Sequence, residues 1–313
     1  MIVTVTPNTT IDRTLFVPSF ELNRTIRSSR SVLGTGGKPE DASFILGELG
    51  IPSLALGFAA GLAGQQAERM LRERGAVPDF TWVGGETRVN ILIVCEDGSG
   101  QSTFTVDTLE VTPEHVEALR MRYEAALREA TCVVLGGTLP HGLDLALHTD
   151  LVRQARKRNI PVVFDASGAA LRAGLAARPS VIKPNRDELE QISGRAVPSV
   201  RAAYSAALDI QAHYGSSVVV TMGGDGALAV LPDRAYRIPP LDVKVVSTAG
   251  AGDGVLAGLA AALSRGEPLE DGLRLGFAAA AAVLLTPATA DCRRADVDRL
   301  LPRIELLPYK PDA

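Results

Sequence analysis

From Thr112 onward the chain alternates at short intervals between amphipathic helical patterns and brief runs of Val, Ile and Leu, and this rhythm narrows the fold most. Thr112-Pro113 opens a helix with Val116, Leu119, Tyr123 and Leu127 on one stripe. Residues 131–135 read as a strand, Asp144 caps the next helix, and residues 161–164 are again a strand. Strands so apolar are buried on both faces, which predicts a mainly parallel sheet between two helical layers. A chain that is 46% hydrophobic but only 4% aromatic has an aliphatic interior, which suits helices packed on an aliphatic sheet. At 313 residues, the whole of 1–313 is expected to be one α/β domain with an insert.

The earlier part of the chain breaks the rhythm. Residues 2–6 and 11–17 read as successive strands with no helix between them, and residues 24–33 alternate weakly between apolar and polar. Residues 87–95 and 101–106 flank Asp97-Gly98-Ser99-Gly100, a hairpin signal. These segments predict a small β-sheet lid drawn from about residues 11–34 and 87–106. Arg88 and Asn90 share one face of a lid strand, because strand side chains alternate.

The chemistry gathers in residues 243–263. Val243, Val245 and Val246 suggest a short buried strand, residues 247–252 a glycine-rich turn, and residues 255–263 a helix whose small residues permit close packing. Gly250 and Gly252 let backbone N–H groups converge where the helix dipole favours an anion. Asp253, on the first turn, is placed to take a proton from a hydroxyl beside that anion, the pairing a phosphoryl transfer needs. Two plainer readings stand beside this one: Asp253 as a simple helix cap, and residues 252–257 as a weak match to the dinucleotide pattern G-x-G-x-x-A.

Other candidates lie at strand and helix ends. Gly36-Gly37-Lys38-Pro39 leads into a helix, but it is no Walker loop, since Val32 stands where the first glycine belongs and Pro39 follows the lysine. A solvated Lys38 is the alternative. Asp165 ends a strand, where open α/β sheets keep their ligands. Asn185 and Glu188, three apart at a helix start, are spaced to order water around Mg²⁺, though N-x-x-E is also a common helix start. The second small-residue helix, residues 273–285, can lie close to a neighbour or to a flat ligand.

A net charge of −4 gives no electrostatic case for nucleic acid as a partner. Cys95, Cys132 and Cys292 are odd in number and far apart, so neither a disulfide framework nor a zinc knuckle is expected. The first residues enter a strand at once with no export signal, and residues 277–285 are too short to span a bilayer. No membrane partner is expected, and the expected location is cytoplasmic.

In their order, these motifs resemble the ribokinase-like (PfkB) sugar kinases, most closely the branch holding 1-phosphofructokinase and tagatose-6-phosphate kinase. The likeness runs over about residues 2–290. It is carried by residues 8–12, Gly36-Gly37-Lys38, Thr87-Arg88-Val89-Asn90, Gly137-Thr138-Leu139-Pro140 with Gly142, and Asp165 with Ser167-Gly168. Lys183-Pro184-Asn185 with Glu188, Thr221 with residues 223–226, and residues 247–253 complete it.

The resemblance implies a three-layer α/β sandwich with a β-sheet lid. It implies Asp253 as the base, with Gly250, Ala251 and Gly252 forming the anion hole. Asp12, Gly36, Gly37, Asp41, Asn90 and Thr138 would face the sugar, while Lys38 and Arg88 would clamp a phosphate already on it. Lys183, Asn185, Thr221, Gly223, Gly226 and Thr248 would face ATP, with Asn185 and Glu188 reaching Mg²⁺ through water. The partners implied are ATP, a small sugar phosphate, and a second copy of the chain through the lid.

The sequence departs from the family at three places. The usual Gly-Gly-Lys-Gly-x-Asn is Gly36-Gly37-Lys38-Pro39-Glu40-Asp41, the lid's Asn-Glu-Pro-Gly-Pro is missing near residues 105–109, and Gly136 replaces a serine. Fructose 1-phosphate is the first expected acceptor, and tagatose 6-phosphate or fructose 6-phosphate the next. An unphosphorylated sugar or nucleoside is the rival acceptor, and a nucleotide-binding homologue without turnover the rival class.

Overall fold

The protein's structure, a computed structural model, describes residues 1–310. Its central sheet has eleven strands. Ile2–Thr6 pairs in parallel with Ser53–Ala59 on one side and Cys132–Gly136 on the other. Val162–Asp165, Val181–Ile182 and Ser217–Thr221 extend the parallel set. Ala227–Val230, Ala235–Ile238 and Leu307–Pro308 close that edge in antiparallel fashion. Val77–Pro78 and Thr81–Trp82 both pair with Ser53–Ala59 at the other edge.

Alternation along each strand divides the interior into two cores. Val133 and Leu135 pack with Leu119, Leu151, Leu171 and Leu189 of the helices on one face. Cys132 and Val134 pack with Ile45, Leu256 and Val297 on the other. The result is the three-layer α/β sandwich with a mainly parallel sheet. Because the strands run together, Gly136, Asp165 and Thr221 finish at one sheet edge, the edge at which such sheets bind ligands.

Beside that edge stands a second sheet of four strands, in the order Arg30–Gly36, Thr10–Val17, Arg88–Cys95, Gly100–Phe104. Thr10–Val17 is antiparallel to the first and parallel to the third, and its register sets Thr10 opposite Arg88 and Asp12 opposite Asn90. Leu33, Val89 and Phe104 leave apolar surface exposed on this sheet.

One helix pair fixes the geometry of the cleft. Ala251–Arg265 lies on Leu269–Val283 so closely that a Cβ on Gly258 would stand 2.2 Å from the backbone nitrogen of Gly276. A Cβ on Gly254 would stand 2.5 Å from that of Ala280. Backbone therefore rests on backbone, and the small residues of both helices are what allow it. The contact sets where the first turn, with Asp253, is aimed.

The strand expected over residues 243–246 does not form. The last strand before it, Ala235–Ile238, runs into Pro239-Pro240, which offers no N–H to a ladder, and the chain leaves the sheet. Leu307–Pro308 takes the vacated edge, and Val245 is exposed. The helix Val200–Tyr214 carries no strong apolar stripe in sequence, because its buried face is mostly Ala203, Ala206 and Ala207 with Ile210. Among the described residues, no helix is long and apolar enough to cross a membrane.

Adding a methyl group at the helix crossing should force the two backbones apart. Gly258→Ala is expected to destabilise the protein by about 1–3 kcal/mol in chemical denaturation. Gly224→Ala, where an added Cβ meets nothing within 4 Å, should stay within about 0.5 kcal/mol of the parent.

Candidate active site

The turn that ends in Asp253 divides two clefts. Gly250 adopts φ 78°, and a Cβ there would lie 2.3 Å from the nitrogen of Ala290, so only glycine fits. The Asp253 N–H donates to Gly250 O at 3.0 Å, and that of Ala251 to Thr248 O at 3.4 Å, winding the chain into the helix. Ala249, Gly250 and Asp253 line a cleft of about 290 Å³ beneath the four-stranded sheet. Thr248, Ala251 and Gly252 line a second cleft of about 400 Å³ behind it. A single turn thus presents a carboxylate to one side and helix N-terminal backbone to the other.

Charges alternate across this wall. Asp165 is 1% exposed; its Oδ1 accepts from Lys38 Nζ at 2.7 Å, and Lys183 Nζ lies 2.8 Å from its Oδ2 as an ion pair without hydrogen-bond alignment. Burial alone would raise the Asp165 carboxyl, but Lys183 and Lys38 hold it below the ordinary range. Burial likewise opposes the Lys38 charge, yet Asp165 and Glu188 outweigh it and hold the ammonium above the usual lysine range. A Cβ on Gly252 would be 3.1 Å from Lys183 Nζ, which places that ammonium at the turn itself. Lys38 is therefore tied to the carboxylates at the sheet edge while it also lines the first cleft.

Asn185 and Glu188 are committed to holding a helix. Asn185 Oδ1 accepts from the Glu188 N–H at 2.8 Å, and Glu188 Oε2 accepts from the Asn185 N–H at 2.9 Å, a reciprocal capping box. Glu188 Oε1 accepts from Ser167 Oγ at 2.6 Å and from Lys38. Among the described residues, no group of three or more His, Cys, Asp or Glu is placed to hold a metal. Such a donor set fits a cation only through its water shell, at Glu188.

Asp41 meets Asp253. Both carboxyls are buried, and each lies close enough to shift the other's ionisation. Asp41 Oδ1 also accepts from Thr35 Oγ1 at 2.7 Å. Burial, and then the charge of Asp253, push the Asp41 carboxyl well above the carboxylate range. Burial is also the main cause that lifts Asp253, to about 7, against the pull of Lys183. Like charges this close cannot both ionise readily, so the pair holds a proton near neutrality. A protonated Asp41 can donate, as the asparagine expected at this position would.

At the first cleft's far end, Asp12 is gripped by Asn90 Nδ2 at 2.9 Å and Thr289 Oγ1 at 2.8 Å. A Cβ on Gly36 would press within 2.5 Å of Asp12 Oδ1, so Gly36 is what lets the carboxylate sit there. Gly37, which begins the helix Lys38–Glu48, also lines this cleft. Arg88 Nε donates to Thr10 Oγ1 at 2.7 Å and its Nη2 to Thr138 Oγ1 at 3.2 Å, so the expected Arg88 and Thr138 meet. Glu40 is buried beside Asp12, and burial holds it well above the usual range.

Of the residues expected on the nucleotide side, Thr221, Gly223, Gly226 and Thr248 line the second cleft with Pro240, Phe277 and Leu284. Lys183 and Asn185 do not line it: the first lies on Asp165 and the second caps its helix while bridging to Thr221. Residues the sequence did not single out are Thr35, Asp107 and Thr289. Thr289 lines the first cleft, Asp107 accepts from Asn8 and Arg88, and Thr35 donates to Asp41; only the fold brings each to those partners.

Comparison with known proteins matches the pattern of the pfkB family carbohydrate kinases to residues 3–296. A 1-phosphofructokinase of Bacillus subtilis is 31% identical over 98% of this chain and 99% of its own length. A tagatose-6-phosphate kinase of Staphylococcus epidermidis is 29% identical over 98% and 99%. Phosphofructokinase-2 of Escherichia coli, solved in complex with substrates and products, superposes with a TM-score of 0.87 at 26% identity, over 96% of this chain and 98% of that one. The same enzyme is also known in a tetrameric inhibited form.

The raised Asp253 carboxyl has a consequence for stability. A group whose folded value exceeds its unfolded value of about 3.9 favours the fold at low pH, and that contribution is lost as pH rises through about 7. Asp253→Asn removes the ionisation. Its melting temperature relative to the parent should therefore be higher at pH 8 than at pH 5, read by thermal denaturation at both.

Proposed function

The chain belongs to the pfkB family of carbohydrate kinases, and from that premise we propose that it transfers a phosphoryl group from ATP to a hydroxyl of a ketohexose phosphate. Fructose 1-phosphate is the first candidate acceptor, and tagatose 6-phosphate or fructose 6-phosphate the next, in keeping with the names of its relatives. The observation that carries this reading is the shared turn: Ala249, Gly250 and Asp253 face one cleft and Thr248, Ala251 and Gly252 the other.

In this account the acceptor sugar lies in the first cleft, its hydroxyls held by Asp12 and Asn90 and its own phosphate by Arg88. The planar fork of Arg88 suits phosphate oxygens. ATP lies in the second cleft, its base against Phe277 and Pro240. The ionised form of Asp253 accepts the hydroxyl proton as the new oxygen–phosphorus bond forms and the bond to the ADP oxygen breaks. Lys183 and the N–H groups at Gly250, Ala251 and Gly252 meet the charge on the migrating group. A magnesium ion travelling with ATP would be held through water at Glu188 and would neutralise phosphate charge. The exposed lid residues Leu33, Val89 and Phe104 offer a surface for a second copy of the chain.

A kinase of an unphosphorylated sugar is the second reading: an ionised Asp41 would repel an anionic acceptor, whereas the protonated form that burial favours would not. An ADP-release assay over free sugars and sugar phosphates separates the two readings. Ketohexose phosphates should turn over best, and Asp253→Asn should lose about 10²- to 10⁴-fold in kcat, the usual contribution of a general base. Asp41→Asn should raise activity on ketohexose phosphates. Preference for free sugars would reverse the acceptor assignment, equal rates for Asp253→Asn would remove the base, and no turnover at all would leave a nucleotide-binding protein.

A further inference from the structure

At the end of the first cleft the anion seat is already taken. Besides its bonds to Thr10 and Thr138, Arg88 donates through Nη1 to Asp107 Oδ1 at 3.4 Å. Asn8 Nδ2 donates to the same oxygen at 2.9 Å and to Thr138 Oγ1 at 3.3 Å. Asn8, Arg88 and Thr138 line the cleft that Asp253 closes. Asp107 belongs to the short segment between the lid strand Gly100–Phe104 and the strand Leu109–Glu110. Its carboxylate stands where donors converge from two separate segments of the fold, Asn8 and Arg88.

We propose that Asp107 is a specificity-determining residue: its carboxylate is a tethered occupant of the Arg88–Asn8 anion seat, and only a phosphorylated acceptor displaces it. The inference rests on the sugar-phosphate reading and extends it. A phosphate monoester carries close to two charges at neutral pH and offers three oxygens to a guanidinium fork, against the single charge of one carboxylate. The exchange therefore favours phosphate. A neutral hydroxymethyl group brings no charge and leaves the Arg88–Asp107 pair intact. Inorganic phosphate brings the charge but lacks the hydroxyls that Asp12 and Asn90 hold, so the same competition disfavours it.

Asp107 can leave without breaking a core. Its side chain is 44% exposed, and its one contact with Arg88 is long. A second lid side chain behaves alike: Gln101 Oε1 accepts from the Thr248 N–H at 3.3 Å, on the turn that serves the nucleotide side. The lid thus meets polar groups of both clefts with its own side chains.

Calorimetric titration of the full chain with inorganic phosphate tests this without relying on turnover. Asp107→Ala and Asp107→Asn should bind phosphate about two- to fivefold more tightly than the parent, the scale of a half-exposed ion pair. The gain should vanish when Arg88→Met is added. In steady-state assays the KM for fructose 1-phosphate should fall by a similar factor, with the change in KM rather than in kcat. Unchanged or weaker phosphate binding in both variants, or a gain that survives Arg88→Met, would overturn the proposal. If no sugar phosphate is turned over by any of these proteins, the functional reading fails, while the phosphate titration still decides the role of Asp107.

Discussion

Asp253 is a carboxylate held out of water, and the charges around it are arranged to answer that burial. Lys183 and Lys38 attract its ionised form, Asp165 opposes it, and Asp41 shares its proton. None of these groups is free to move alone, since Asp165 is held between both lysines and Lys38 is shared with Glu188. A buried network of this kind keeps its geometry because breaking one partner strands another. The ionisation of Asp253 is therefore a property of the cluster as much as of one side chain.

The same turn lines both clefts. Its position is set from behind, where glycines let Ala251–Arg265 settle onto the backbone of Leu269–Val283. The second of those helices then supplies Phe277, Ala280 and Ala281 to the second cleft. Packing and binding are thus two faces of one small-residue surface. Across the wall, the lid strand Thr10–Val17 carries Thr10 and Asp12 on one face because they are two residues apart, and its parallel partner brings Arg88 and Asn90 to meet them.

Much of this was legible in the sequence, because the relevant signals are local. The alternation after Thr112 gave the layers, Gly250 and Asp253 gave the turn, and the spacing of Arg88 and Asn90 gave a shared face. Proline misled the reading of residues 243–246: their valines look like a strand, but Pro239-Pro240 had already taken the chain off the sheet. Asn185 and Glu188 proved to be helix caps first, as their spacing alone allowed. Asp107 and Thr289 were invisible because they sit in loops that reach their partners only in the folded chain, and the approach of Asp41 to Asp253 because it joins two helices far apart in sequence. Asp41 stands where the family's asparagine is expected, and in the fold its carboxyl is paired with that of Asp253.

Carboxyl ¹³C NMR of the aspartates across a pH titration, on the parent and on Asp41→Asn, addresses that partnership directly. In the parent one carboxyl of the Asp41–Asp253 pair should titrate at about 7 and the other well above the ordinary carboxylate range; Asp41→Asn should abolish the second titration while burial keeps the Asp253 carboxyl raised. If both aspartates ionise in the ordinary range near about 3.9, with no change on substitution, the shared-proton base is wrong.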